Sequence, residues 1–557
     1  MRSGAAIYYH PEGFDTSGNK LMGRQAAGEA FLKAYAENSG MAMLYCYCKS
    51  EAMFADFKER LATLTGTQQT AQWIPHQNPN DLAKAGCLFV PGPNTADLVW
   101  QRRHFDARGY SVCGVTHTTA SEGIMDSIGD LMVAPYQSWD AVICTSEAVR
   151  ETYRQVLEEW GEYLNERTRG LANAPIQLPV IPLGVDCAGL KAEGKAAGWR
   201  QEWRTRHDIG EDDIVVLFMG RLSYHAKAHP LPMYLGLENA ARESKRKIHL
   251  IQAGWFANDS IKKTFKASAR SICPSVNSIF LDGRDGHVRE SLWYGADVFT
   301  SLSDNIQESF GLTPVEAMAA GLPSIVSDWN GYRESIRHGV DGYTVPTLMP
   351  PPGSGGDIAY RYFTRQNTYG DYLGAQSQST SVDMGALQQA LYQLVNDDGM
   401  RKTMAAAAKQ RAEETYDWAH VISAYEELWD ELTQRRMSAV ELAERVDQQP
   451  FHPTHPDPFD MFQSFATTTL EMDGRVKLSG LDWEQSFARI KLKTGLVYSG
   501  TLMELEELPF LIGHLEANPE ASVHEILAAL PHVEPARLQR TLVWLVKLGI
   551  CQYLPGA

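Results

Sequence analysis

The residues with the clearest chemical potential run from Glu308 to Pro323, E-S-F-G-L-T-P-V-E-A-M-A-A-G-L-P. Glu308 opens a Gly-containing loop. A helix start follows, with Thr313 able to cap it, Pro314 suited to its first position and Glu316 in its first turn; Gly321 and Pro323 stop it. A helix N-terminus offers free N–H groups and partial positive charge, which suits a phosphate. Carboxylates flanking such a site can accept hydrogen bonds from the hydroxyls of a ribose or a sugar. The spacing also fits plain capping, because Thr313 and Glu316 stand three apart as in a capping box.

Complementary charge lies upstream. The apolar run Val215–Met219 leads into Gly220, Arg221 and then Lys227. Arginine can grip phosphate oxygens bidentately and lysine adds a point charge, so two cations past a strand end suit a diphosphate. An exposed pair on a loop is the plainer alternative. His117 follows the run Val112–Val115 and could bond a sugar hydroxyl, or serve only the local structure. Gly18, in the loop Phe14–Gly23 after Ile7–Tyr9, permits close backbone approach to a phosphate or sugar. That loop lacks the G-x-G-x-x-G spacing and reads equally well as a turn. Diphosphate plus sugar hydroxyls is the chemical outline of a nucleotide-sugar.

The elements that must position these groups alternate. Strand-like runs at 42–47, 86–90, 112–115, 141–145 and 180–182 are separated by helix-like stretches such as 23–37 and 147–159. The alternation restarts at 214–219, 247–253, 278–281, 298–301 and 322–326. This predicts an α/β chain with two Rossmann-like domains facing a cleft, at 1–190 and 191–436, since open parallel sheets bind ligands at the carboxyl ends of their strands. Residues 350–381, rich in Pro, Gly, Ser and Gln with five interspersed aromatics, read as a long loop, either disordered or an aromatic lid. Pro-rich 437–459 reads as a linker, with prolines beside His452 and His455 speaking against metal ligation. Residues 460–557 form a small, mainly helical, winged-helix-like accessory domain that could bind a partner or pair subunits.

Composition narrows the class. A formal net charge of −17 speaks against a phosphate-backbone binder or polybasic membrane anchor. Eight scattered cysteines read as reduced thiols. No apolar run reaches the roughly 18 residues of a membrane span, and the opening residues are too short an apolar stretch for a secretory signal, so a cytoplasmic location is expected.

At this point the chain resembles a family 4 retaining glycosyltransferase of the GT-B fold. The likeness rests on I-P-L-G-V-D at 181–186, G-R at 220–221 with Lys227, A-D-V-F-T-S-L-S at 296–303, the 308–323 segment, S-D-W-N-G-Y-R-E at 327–334 and H-G-V-D-G-Y at 338–343. It is thinner in the first domain, and 460–557 lies outside it. The resemblance implies that Arg221 and Lys227 neutralise the leaving diphosphate, and that Glu308 orients the donor sugar while Glu316 holds the ribose. It also implies that N–H groups of Phe310, Gly311 and Leu312 meet sugar or phosphate, that His117 touches the sugar from the opposite domain, and that Arg284 and His287 lie near the base. It implies hexosyl transfer with retention, through a metal-independent site without a cofactor. The donor is a UDP-sugar by preference, or a GDP-sugar, and the acceptor is a glycan, lipid-linked or protein hydroxyl. A GT-B-like epimerase, or a silent scaffold acting through its tail, are the rival readings.

Overall fold

The computed structural model describes residues 4–15, 23–191, 195–447, 449–492 and 500–556, which fall into two compact units, 4–451 and 452–556. Gly18 lies outside the described residues.

The first unit contains two six-stranded parallel sheets. Strands β1 (Ala6–Tyr8), β2 (Leu44–Cys48), β3 (Ala71–Pro75), β4 (Cys87–Val90), β5 (Ser111–Val115) and β6 (Ala141–Ile143) are ordered β3-β2-β1-β4-β5-β6. Strands β7 (Ile214–Met219), β8 (Ile248–Gly254), β9 (Asn277–Asp282), β10 (Val298–Ser301), β11 (Ser324–Ser327) and β12 (Gly342–Val345) repeat the pattern as β12-β11-β10-β7-β8-β9. The fully apolar run of β7 explains itself. Ile214, Val216 and Phe218 enter the core on one face, while Val215, Leu217 and Met219 enter the core on the other. A strand covered on both sides has no polar face to alternate with. In each sheet the strand order reverses between neighbours, at β1/β4 and at β7/β10. Loops leaving two adjacent strands in opposite directions open a crevice there, which is where such sheets take ligands.

The turn 181–186 ties the lobes. Val185 donates to Tyr416 at 2.8 Å and accepts from Trp418 at 3.2 Å, and a Cβ on Gly184 would overlap the Trp418 ring. From there the helix Trp418–Ser438 crosses to the first sheet, where Trp418, Tyr425 and Trp429 join Phe31, Tyr35 and Phe89 in one core.

Three expectations need correction. Residues 180–182 make only an isolated bridge, Cys144 to Val180, because the segment ends the first sheet without a further partner. The stretch 350–381 is not a long loop. It holds the helices Gly356–Phe363 and Tyr369–Gln378 and is closed at its base by a short strand pair, Thr347–Leu348 with Ser381–Val382. The linker begins later than 437, since Leu442 and Gln137 exchange two 2.9 Å hydrogen bonds and Arg103 donates to Phe451 at 3.1 Å, holding this stretch to the first lobe.

The helix Tyr369–Gln378 starts at a reciprocal capping box of Thr368 and Asp371. Thr368→Ala is therefore expected to destabilise it by about 1 kcal/mol. Amide hydrogen exchange across 369–378 should accelerate several-fold relative to β7. Unchanged exchange would mean that buried Leu373, and Ser377 bonded to Asp304 at 3.0 Å, hold the helix without the cap.

The second unit packs helices Trp483–Ile490, Leu508–Ala517, Val523–Ala529 and Pro535–Lys547 against the antiparallel strands Arg475–Leu478 and Cys551–Leu554. Leu511, Ile526, Leu538, Leu542 and Leu545 form its core.

Candidate active site

Residues past the ends of β5, β7 and β10 line a cleft of about 450 Å³ between the lobes. Its wall includes His117, Thr118, Gly220, Arg221, Lys227, Gln307, Glu308, Phe310, Gly311, Leu312, Thr313 and Tyr369. The switch point thus gathers residues that are far apart in sequence.

Past β10, the loop ends in the helix Leu312–Ala319 with Gly311 as its N-cap, at φ 90° and without a side-chain cap. Thr313 is not the cap, so the capping-box reading fails here. The chain enters the helix two residues earlier because Gly311 alone fits: a Cβ there would overlap Cε1 of buried Tyr332. The first-turn N–H groups have no intrahelical acceptor and sit at the cleft wall. Thr313 Oγ1 is buried beside them without a hydrogen-bond partner.

Lys227 Nζ donates to the Glu308 carboxylate and, at 3.3 Å, to the Tyr332 hydroxyl. Both side chains of the ion pair are only 14% exposed. Burial opposes the ammonium charge, but the adjacent carboxylate outweighs it and pushes the Lys227 pKa up, so the lysine stays charged. Tyr332 Oη also lies 2.9 Å from Ser301 Oγ and 3.4 Å from Glu308 Oε2. Tyr332 thus joins both charges from below, a role that reading the sequence does not assign. Arg221 is half-buried and donates to two neutral acceptors, the Ala226 carbonyl at 3.1 Å and the Gln307 side-chain carbonyl. Burial lowers its pKa, opposed by nearby Glu308.

The first lobe closes the site by direct bonds. Ser309 Oγ donates to the His117 carbonyl at 2.9 Å, Ser146 Oγ to the Ser309 carbonyl at 2.8 Å, and Glu147 N to Glu334 Oε1 at 2.8 Å. His117 reaches the wall directly past β5.

Three residues lie elsewhere. Glu316 is not part of the cleft wall but sits one turn into the helix, half-buried; burial raises its carboxyl to about 7, with Lys227 and Arg289 acting the other way. Arg284, expected near a base, is exposed past edge strand β9 and pairs with Asp282 at 2.9 and 2.7 Å. His287 stacks on Trp203 at 5.5 Å. Two strands separate β9 from β10, so neither lines the cleft. Among the described residues no three His, Cys, Asp or Glu side chains group to hold a metal, and no helix is long and apolar enough to cross a membrane.

Residues 200–348 match the family model described as glycosyl transferases group 1. The match takes in β7 to β12 with Arg221, Lys227 and Glu308, and leaves out His117. An uncharacterized glycosyltransferase of Methanocaldococcus jannaschii is 30% identical over 158 residues, 27% of this chain and 37% of that protein. A phosphatidyl-myo-inositol mannosyltransferase of Mycobacterium leprae is 26% identical over 244 residues, 44% of this chain and 50% of that protein. The chain therefore spans half or less of the length of these curated relatives. Among solved structures, Anabaena Alr3699/HepE in complex with UDP is 16% identical with a TM-score of 0.48, covering 77% of this chain and 99% of that one.

Proposed function

We propose that the chain is a retaining glycosyltransferase that moves a hexose from a nucleotide-diphosphate sugar, a UDP-sugar ahead of a GDP-sugar, to a hydroxyl acceptor. The observation that carries this reading is the gathering of Arg221, Lys227, Glu308 and an uncapped helix N-terminus in one cleft, with His117 opposite. Breaking a glycosyl–phosphate bond builds negative charge on the diphosphate and positive charge on the anomeric carbon. Two fixed cations and the N–H groups after Phe310 stabilise the first, and such preorganised charge lowers the barrier more than any other effect in many enzymes. They supply the counter-charge that a divalent ion would otherwise bring. Lys227 and Glu308 satisfy each other in the structure. An arriving diphosphate draws the ammonium away and frees the carboxylate to accept sugar hydroxyls. The leaving phosphate takes the acceptor's proton on the face it vacates, which retains configuration.

A donor screen tests this. The full chain is incubated with UDP- and GDP-sugars, with and without EDTA, and the released diphosphate is measured alone and with polyol acceptors. Inositol-type acceptors come first, because the Mycobacterium leprae relative is named for one. Diphosphate release that survives EDTA and is stimulated by an acceptor is expected. Sugar interconversion without release would point to an epimerase, and no binding to a scaffold.

Glu316 supplies a pH test. With its carboxyl near 7, a contact that needs the carboxylate, such as one to ribose hydroxyls, must expel a proton on binding. Its contribution to affinity is therefore present above pH 7 and lost as pH falls towards 6. At pH 7 calorimetry in buffers of different ionisation enthalpy should read about half a proton more released by the wild type than by Glu316→Gln. Equal proton release by the two would remove Glu316 from the binding reaction.

A further inference from the structure

Gln307 and Tyr369 line the cleft wall but have no task in the mechanism above. Arginine carries only donors, so the Gln307 atom facing Arg221 must be its carbonyl oxygen. The amide nitrogen then points the other way, and it donates to the Tyr369 hydroxyl at 3.1 Å. The Gln307 main chain is fixed as well, its N–H donating to Asn305 Oδ1 at 3.0 Å while Asn305 Nδ2 donates to the Lys227 carbonyl at 2.7 Å. Tyr369 opens the helix Tyr369–Gln378 and shares the cleft wall with Thr118 of the first lobe, the neighbour of His117. Around it, Ala120 of the first lobe packs with Ala226, Ile306 and Leu373 of the second. Tyr362 adds a second crossing, its hydroxyl accepting from Glu122 N at 3.0 Å.

A continuous chain therefore runs from Tyr369, beside the first lobe, through Gln307 to the Arg221 guanidinium. Its acceptor on Arg221 is neutral, so it aims the cation without cancelling its charge; a carboxylate in that place would do both. We infer that Gln307 and Tyr369 are positioning residues, which hold Arg221 aimed at a diphosphate when the first lobe docks on the helix Tyr369–Gln378. This rests on the transferase reading. A free arginine must give up rotamer freedom to bind, and pre-aiming removes that loss before the ligand arrives.

The test is a double-mutant cycle on the full chain, read by calorimetric titration with UDP and GDP and by donor hydrolysis. Tyr369→Phe keeps the ring and its packing but removes the acceptor for Gln307. It is expected to weaken diphosphate affinity about three- to tenfold, and to do nothing further in an Arg221→Ala background. Thr118→Val, on the first lobe and on the same cleft wall as Tyr369, should show the same background dependence. Gln307→Glu should weaken binding more than Tyr369→Phe, because it pairs off the Arg221 charge. Equal losses by Tyr369→Phe and Thr118→Val with and without Arg221 would overturn the relay and make these side chains direct ligand contacts. Unchanged affinity in the wild-type background would overturn it as well. A wild-type chain that binds neither diphosphate sinks the function and the relay together, whereas wild-type binding with silent variants sinks the relay alone.

Discussion

Lys227→Ala is expected to weaken nucleoside diphosphate binding on the order of 100-fold or more, with donor turnover falling at least as far. Two effects add. The cation proposed to meet the pyrophosphate disappears, and the Glu308 carboxylate, 14% exposed, is left without its ion-pair partner. A poorly solvated carboxylate then stands in the path of an incoming anion, offset in part by the Tyr332 hydroxyl at 3.4 Å and by nearby Arg221. This second effect has its own signature. Adding Glu308→Gln to Lys227→Ala should recover part of the lost affinity, although it removes a second polar group, because it deletes the stranded charge. Lys227→Arg should fall between wild type and Lys227→Ala. The lysine stem is tightly placed, with a Cβ position on Gly220 only 3.1 Å from Lys227 Cε, so the broader guanidinium has little room. Titration of the four proteins with UDP and GDP checks the series. Wild-type affinity in Lys227→Ala would show that the ammonium serves Glu308 alone and never meets a phosphate.

What the sequence makes legible follows from the size of each physical signal. The strands covered on both faces, β7 above all, announce themselves as unbroken apolar runs, and the two-domain organisation follows from their repetition. The Gly311–Pro323 segment carries strong local chemistry, a left-handed glycine, a short helix and a proline stop. It is readable, though its Thr–x–x–Glu spacing points to Thr313 as the cap, because that spacing looks like a capping box from either side. The ring of Tyr332, brought in from twenty-one positions downstream of Gly311, decides that question, and no local pattern reports it. The same holds for the Lys227–Glu308 pair. Both residues can be nominated from sequence, but their mutual bond depends on β7 and β10 being neighbours in the sheet although β8 and β9 intervene in the chain. Helices 356–363 and 369–378 are hidden by flanking Pro and Gly and by their shortness, yet Thr368 and Asp371 do offer a start signal. Arg284 shows the opposite failure. The family resemblance implies a place near the base, but β9 is the edge of its sheet, and sequence order alone does not distinguish an edge strand from one at the switch point.

Glu308→Gln should separate binding from turnover. The side chain keeps its shape and its carbonyl oxygen, so Lys227 and Tyr332 retain an acceptor and the cleft keeps its form. The amide, however, no longer neutralises the ammonium, and an incoming diphosphate need not displace a carboxylate to reach it. Nucleoside diphosphate affinity is therefore expected to equal or modestly exceed that of the wild type. Turnover should fall about 100- to 1,000-fold, because a neutral amide is a weaker acceptor for donor hydroxyls and gives no negative charge beside a developing cationic carbon. Expressed as kinetics, kcat drops while the affinity for the free diphosphate does not, the mark of an interaction made in the transition state. The contrast with Lys227→Ala is the informative part, since the two residues form one ion pair and a purely structural pair would lose both properties together on either substitution. Parallel losses of diphosphate affinity in Glu308→Gln and Lys227→Ala would assign the pair to holding the loop at 302–311, and the chemistry would then have to be carried by Arg221, His117 and the helix N-terminus.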